Sequence, residues 1–203
     1  ALGARWASDF GAVAVLVRSP TTRSLRTPHT GAMNYFDAKT RIPAAAVATE
    51  DAAMITRILK DGGTVRVTLK MEARTEEKPA MSANVIGELR GRERPDEIVV
   101  IGGHLDSWDV GQGAQDDGAG CLIAMEAAHL IHRLGLKPRR TIRVVLWTNE
   151  ENGTRGARAY VDTHRSALAD HVAVLESDSG NGPVLGFQLD IRAPEGASSA
   201  DSA

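Results

Sequence analysis

Ile98-Val99-Val100-Ile101-Gly102-Gly103-His104-Leu105-Asp106 is the stretch from which the fold can be read. Four consecutive apolar residues leave no polar face, so the strand expected over Glu97 to Gly102 must be covered on both sides, as in a sheet flanked by helices. Directly after it stand an imidazole and a carboxylate, His104 and Asp106. Moving towards the C-terminus, the Gly-rich loop Gly111 to Gly120 leads into a helix fitting Gly118 to Leu134, with Leu122, Met125, Ala128 or His129 and His132 at helical spacing. Gly135 lies close to its end. Thr141 to Trp147 reads as a strand followed by Glu150-Glu151, Gly156 to His164 as a helix, and Val172 to Leu175 as a strand followed by Asp178. Strand, helix, strand, helix, strand implies an α/β domain with a mixed, largely parallel sheet flanked by helices.

Ahead of this core, Ala83 to Leu89 reads as a further strand, joined to it by a polar turn from Arg90 to Asp96. The charged stretch Arg74 to Lys78 reads as a linker, so residues 1–78 form a small α/β unit distinct from residues 79–187. Within that unit the expected elements are a strand over Gly11 to Val17, a polar loop over Arg18 to Thr30 and a short apolar segment, Ile42 to Ala48. A helix follows, with Thr49 as its N-cap and Glu50 and Asp51 favouring its start. It runs to about Lys60 and ends at Gly62-Gly63. From Thr64 to Met71, Val65, Val67 and Leu69 alternate with Arg66, Thr68 and Lys70, the pattern of a half-exposed strand. Residues 188–203 drift into Ala, Ser, Gly and Asp and are expected to be a disordered tail.

Composition narrows the function. The 203 residues are 42% hydrophobic with a formal charge of -2, so acids and bases are interspersed and there is no electrostatic footprint for nucleic acid. No apolar run approaches membrane-spanning length. The single cysteine, Cys121, excludes an intrachain disulfide and a Cys-rich zinc knuckle, so any metal site must use His, Asp and Glu.

His104, Asp106, Glu150, Glu151 and Asp178 all follow the carboxyl ends of expected strands, where open α/β sheets place their ligand crevice. Asp116 joins them from the Gly-rich loop. Taken singly, each fits a plainer role: a loop histidine, a helix cap for Asp116-Asp117, solvated charges for Glu150-Glu151, a turn for Asp178. Their convergence on one mouth favours a metal site instead, with imidazole and carboxylate donors suited to zinc or a similar divalent ion.

The stretch Gly102 to Gly113, with Gln115-Asp116-Asp117-Gly118, Leu146-Trp147-Thr148, Glu150-Glu151 and Glu176-Ser177-Asp178, resembles the co-catalytic zinc exopeptidases, the family containing carboxypeptidase Q and bacterial secreted aminopeptidases. The resemblance covers roughly residues 28 to 187 and implies the zinc exopeptidase fold, residues 1–78 being a lid-like insert. It implies two zinc ions, with His104, Asp116, Glu151 and Asp178 as ligands and Asp116 as the bridge. Glu150 would be the general base and Asp106 the partner that orients His104. It also implies a cis peptide at Asp116-Asp117, a small peptide substrate such as a dipeptide, a homodimer, and a secreted, periplasmic or lysosomal location. Pro28-His29-Thr30-Gly31 matches part of the insert, with His29 read as a turn histidine. His129 and His132 are expected to face packing or solvent, and His164 and His171 the surface. The family's last histidine ligand has no counterpart after His171, and the first catalytic-domain strands are missing, so the domain is expected to be partial. Two readings stand beside the peptidase: an inactive remnant that binds peptide or a partner, and a glutaminyl-cyclase-like zinc acyltransferase.

Overall fold

The structure is a computed structural model that describes residues 3–21, 25–29, 31–74, 76, 78–109, 111–178 and 180–183. The expected tail, 188–203, lies outside the described residues. Helix α1 (Gly3–Asp9) precedes strands β1 (Val15–Arg18) and β2 (Ala44–Val47), which pair in parallel from Val15 against Ala44 to Arg18 against Val47. Helix α2 (Thr49–Lys60) follows. Thr49 is its first helical residue rather than its cap. Ala48 occupies the cap position in extended conformation, its methyl making no cap hydrogen bond, while Glu50 and Asp51 sit in the first turn where the helix dipole favours them.

The strand expected over Thr64 to Met71 is not formed. Alternation specifies which face of a strand is buried, but a strand also needs a neighbour, and among the described residues none pairs with this stretch.

The second sheet carries the site. It contains β3 (Val85–Leu89), β4 (Arg94–His104), β5 (Arg140–Trp147) and β6 (His171–Glu176), in the order β3-β5-β4-β6. β5 runs parallel to β4 and β4 parallel to β6, whereas β3 is antiparallel to β5. The sheet is therefore mixed and largely parallel, as the sequence implied. β4 begins earlier than expected: Arg94 already pairs with Arg140, and a register shift separates this contact from the ladder starting at Ile98. Helix α3 (Gly118–Arg133) covers one face and α4 (Arg155–Thr163) the other. A 3-10 turn, Arg165–Asp170, returns the chain to β6.

Alternation along β5 builds both layers. Val145 and Trp147 pack with Ile98, Val100 and Tyr160 of α4, while Val144 and Leu146 pack with Cys121 and Ala124 of α3. Burying each such aliphatic side chain stabilises by roughly 1.5–3 kcal/mol, so these back-to-back clusters fix the sheet between its helices. The buried face of α3 is Gly120, Cys121 and Ala124. Leu122 and Met125, expected on the apolar stripe, are exposed. Small residues win this face because α3 lies so close to β4 that a Cβ on Gly103 would meet the Cys121 nitrogen at 2.7 Å.

His164 and His171, expected at the surface, are half-buried around Tyr160. The His164 ring stacks on Tyr160 with centroids 4.0 Å apart. Tyr160, only 5% exposed, has its hydroxyl 2.8 Å from His171 Nε2 and accepts from Arg143 Nη1. His171 Nδ1 lies 2.9 Å from the Ala167 carbonyl oxygen, which can only accept, so Nδ1 carries the proton and Nε2 accepts from Tyr160. Arg143 also donates to Glu88 of β3 at 2.6 Å. One chain of hydrogen bonds thus ties β3, β5, α4 and β6 together. Tyr160→Phe leaves Arg143 and His171 each short of a partner, and urea unfolding should show a loss of about 1–3 kcal/mol. Unchanged stability would mean that solvent replaces the hydroxyl freely.

Candidate metal centre

Sheet register brings the chemistry to one edge. His104 ends β4 opposite Trp147 of β5, and Gly102 faces Glu176 of β6, so the loops bearing Glu150-Glu151 and Asp178 leave the sheet beside His104. The first of these turns through Asn149 at φ 54, a left-handed conformation that asparagine tolerates. Thr154 N–H then closes on the Glu150 carbonyl at 2.8 Å. Asn84 braces the turn, its Oδ1 accepting from Thr148 N at 3.0 Å and its Nδ2 donating to the Gly156 carbonyl at 2.9 Å. Reading Ala83 to Leu89 only as a further strand had given Asn84 no role.

His104 is 1% exposed and held at three atoms. Its N–H donates to Asp117 Oδ2 at 2.8 Å, its carbonyl accepts from the Cys121 thiol at 3.1 Å, and Nδ1 lies 2.9 Å from the Asp106 carbonyl oxygen. That oxygen can only accept, which assigns the hydrogen to Nδ1. Nε2 then faces Asp116 Oδ1 and Asp178 Oδ1, each at 3.2 Å. A lone pair facing two carboxylate oxygens is repulsive unless a cation, either a proton or a metal ion, stands between them. The donor atoms of His104, Asp116 and Asp178 all lie within 4.8 Å of one another.

Three of the four expected ligands therefore meet, and Glu151 is outside that group. Its Oε1 is buried without a hydrogen-bond partner, an arrangement that is costly for a carboxylate unless another group satisfies it. Asp106 sits differently from the expected His104 partner. Its carboxylate Oδ1 is 3.8 Å from Nδ1, while the two carboxylate oxygens accept the Glu150 and Glu151 N–H groups at 2.8 and 3.2 Å. The main-chain carbonyl orients the imidazole, and the side chain grips the glutamate turn. The Asp116-Asp117 peptide is cis. His29 is exposed and its N–H donates to Ser19 Oγ at 2.8 Å; His129 and His132 are exposed as well.

Electrostatics point the same way. Burial, then the neighbouring charges of Asp178, Asp106 and Asp116, push the Glu150 carboxyl up against the opposing pull of His104. Glu151 is raised by burial and Asp116, and Asp117 by burial in spite of its two N–H bonds. His104 is pulled down by burial, but its bond to the Asp106 carbonyl and the charges of Asp178 and Asp117 outweigh this and raise it. Carboxylates crowded around a single imidazole, with an orphaned buried oxygen among them, suit a divalent cation. The nitrogen and oxygen donors are those zinc accepts.

The comparisons place these features in a family. The chain belongs to peptidase family M28, whose model matches residues 84–200. Carboxypeptidase Q of Pongo abelii is 45% identical to it over 187 residues, covering 92% of this chain and 39% of that protein. The Homo sapiens carboxypeptidase Q is 44% identical over the same length, with the same coverage. A peptidase M28 precursor from Shewanella amazonensis SB2B superposes with a TM-score of 0.80 at 44% identity, covering 91% of this chain and 41% of that one. BSAP, a zinc aminopeptidase from Bacillus subtilis, shares the fold at a TM-score of 0.51 and 22% identity, over 87% and 40% of the two chains. The chain thus spans about two fifths of the length of the relatives it matches.

Without metal, the raised groups fix the sign of the pH dependence. Folded His104, Glu150, Glu151 and Asp117 each hold protons to higher pH than they do when unfolded, so stability falls as pH rises through their folded values. The window opens near the ordinary carboxyl value of about 4 and closes above the ordinary histidine value of about 6.5. Asp37 and Glu97, lowered chiefly by hydrogen bonds to Arg5 and Arg140, act only below that window. Metal-free chain should melt at higher temperature near pH 5 than near pH 8, and zinc should reverse the order by replacing the protons. Scanning calorimetry in chelator and in zinc tests both halves.

Proposed function

We propose that this chain carries most of the metal centre of a zinc exopeptidase that hydrolyses small peptides, dipeptides among them. The observation supporting it best is His104 Nε2 standing 3.2 Å from both Asp116 and Asp178 with its other ring nitrogen committed to the Asp106 carbonyl. His104, Asp116 and Asp178 would hold one zinc ion, and Asp116 with Glu151 a second. The last imidazole implied by the resemblance has no counterpart among these 203 residues. When bound, zinc supplies a lowered water pKa and polarisation of the peptide carbonyl.

The chain's own residues supply the proton traffic. Glu150 is the general base, taking a proton from water at its carboxylate and returning it to the leaving amine. Its raised affinity for a proton, from burial and neighbouring carboxylates, brings it closer to the working pH of such a base. Asp106 sets the turn geometry by holding the Glu150 and Glu151 N–H groups on its two oxygens, so adjacent glutamates can serve different tasks. Residues 1–78 would act as a lid over residues 79–187, and the family's secreted, periplasmic or lysosomal setting belongs to the same reading.

Zinc stoichiometry and dipeptide hydrolysis, measured on the chain and on Glu150→Gln, test this reading. Zinc should bind to both, and hydrolysis should fall in the variant by roughly a hundredfold or more. Zinc binding without hydrolysis in the parent chain would favour a peptide-binding remnant. Equal hydrolysis in both would remove Glu150 as the base, and absence of zinc binding would remove the metal centre.

A further inference from the structure

We infer that Asp117, which the proposed chemistry does not use, is a positioning residue for His104: its carboxylate, with the Cys121 thiol opposite, fixes the histidine main chain and thereby the place of Nε2. The inference rests on the reading of His104 as a metal ligand.

Asp117 is the N-cap of α3, its Oδ1 accepting from Gly120 N at 3.1 Å. A cap needs one oxygen, and serine or asparagine supplies it as well as aspartate. Asp117 differs from such a cap in two respects. It is 1% exposed, a costly place for a carboxylate, and its second oxygen accepts the His104 N–H at 2.8 Å. The surroundings are shaped around that carboxylate. A Cβ on Gly103 would lie 2.4 Å from Oδ2, and one on Gly120 would lie 2.3 Å from Oδ1. Cys121, one turn into the helix, donates its thiol to the His104 carbonyl at 3.1 Å. Both main-chain polar atoms of His104 are therefore held by the start of α3, and Nδ1 by Asp106. Only Nε2 is left for chemistry. A ligand fixed at every other polar atom has little freedom to lose on binding metal, and outer-shell partners of this kind are commonly worth ten- to a hundredfold in affinity.

Two variants separate anchoring from capping. Asp117→Ser keeps an oxygen for Gly120 N–H but is too short for His104 N–H, and Asp117→Asn keeps the size while turning an NH2 group towards one of the two donors. Far-UV circular dichroism reports folding, competition with a chelating dye reports zinc affinity, and the visible spectrum of the cobalt(II)-loaded chain reports ligand geometry. Both variants should fold, bind zinc about ten- to a hundredfold more weakly, and show altered cobalt bands. Parental affinity and spectrum in both would reduce Asp117 to a helix cap and overturn the inference. Should neither variant fold, Cys121→Ala loosens the same histidine from its carbonyl side; an altered cobalt spectrum supports the anchor and an unaltered one overturns it. Should the parent chain bind no zinc, the metal-centre reading fails by itself, and amide hydrogen exchange at His104 then decides the anchor. Exchange roughly tenfold or more faster in Asp117→Ser supports it, and equal rates overturn it.

Discussion

The close approach of helix α3 to strand β4 is the contact on which the rest of the structure depends. A methyl group on Gly103 of β4 would sit 2.7 Å from the Cys121 nitrogen, and one on Gly120 of α3 would sit 2.3 Å from Asp117 Oδ1 and 1.8 Å from the Ser177 carbonyl oxygen beyond β6. Glycine is required at both positions because no side chain fits, whatever its polarity. Because the helix can come so near, the Asp117 carboxylate spans helix and strand at once, and His104 ends with its imidazole inside the protein and one nitrogen facing the open edge. Looser packing at this contact would leave His104 on a flexible loop, with its distances to Asp116 and Asp178 undefined.

Much of this was legible in the sequence because the signals were local. The apolar run Ile98 to Ile101 demanded a strand covered on both faces, and the structure covers it with α3 and α4. The sequence likewise foretold helix α3 from Gly118, strand β5 ending at Trp147 and β6 starting near Val172, since the helix has apolar residues at helical spacing and the strands are short apolar runs bounded by polar residues. The position of His104 at the end of β4, and of Asp106, Glu150, Glu151 and Asp178 after strand ends, followed from those elements.

What was not legible depended on partners distant in the chain. Thr64 to Met71 has the alternation of a strand, yet alternation cannot say whether a neighbour is present. Leu122 and Met125 have helical spacing and the larger apolar side chains, but the face of α3 that turns inward was chosen by backbone proximity, which favours Gly120, Cys121 and Ala124. Tyr160, 17 residues beyond Arg143 and 11 before His171, half-buries His171 through a hydrogen bond and His164 through ring stacking, contacts that no spacing rule encodes. The Asp106 carboxylate reaches the N–H groups of Glu150 and Glu151 across more than forty residues, so a motif reading assigned it to its near neighbour His104 instead.

Strand β6 carries a different kind of consequence. Among the described residues it has a neighbour on one side only, and Val172, Val174 and Leu175 are exposed along it. An apolar strand with one row of main-chain donors and acceptors open to water is a template for another strand. Association of this chain through that edge should therefore rise with protein concentration. A charged residue in place of Val174 is the kind of gatekeeper that would keep such an edge from recruiting company.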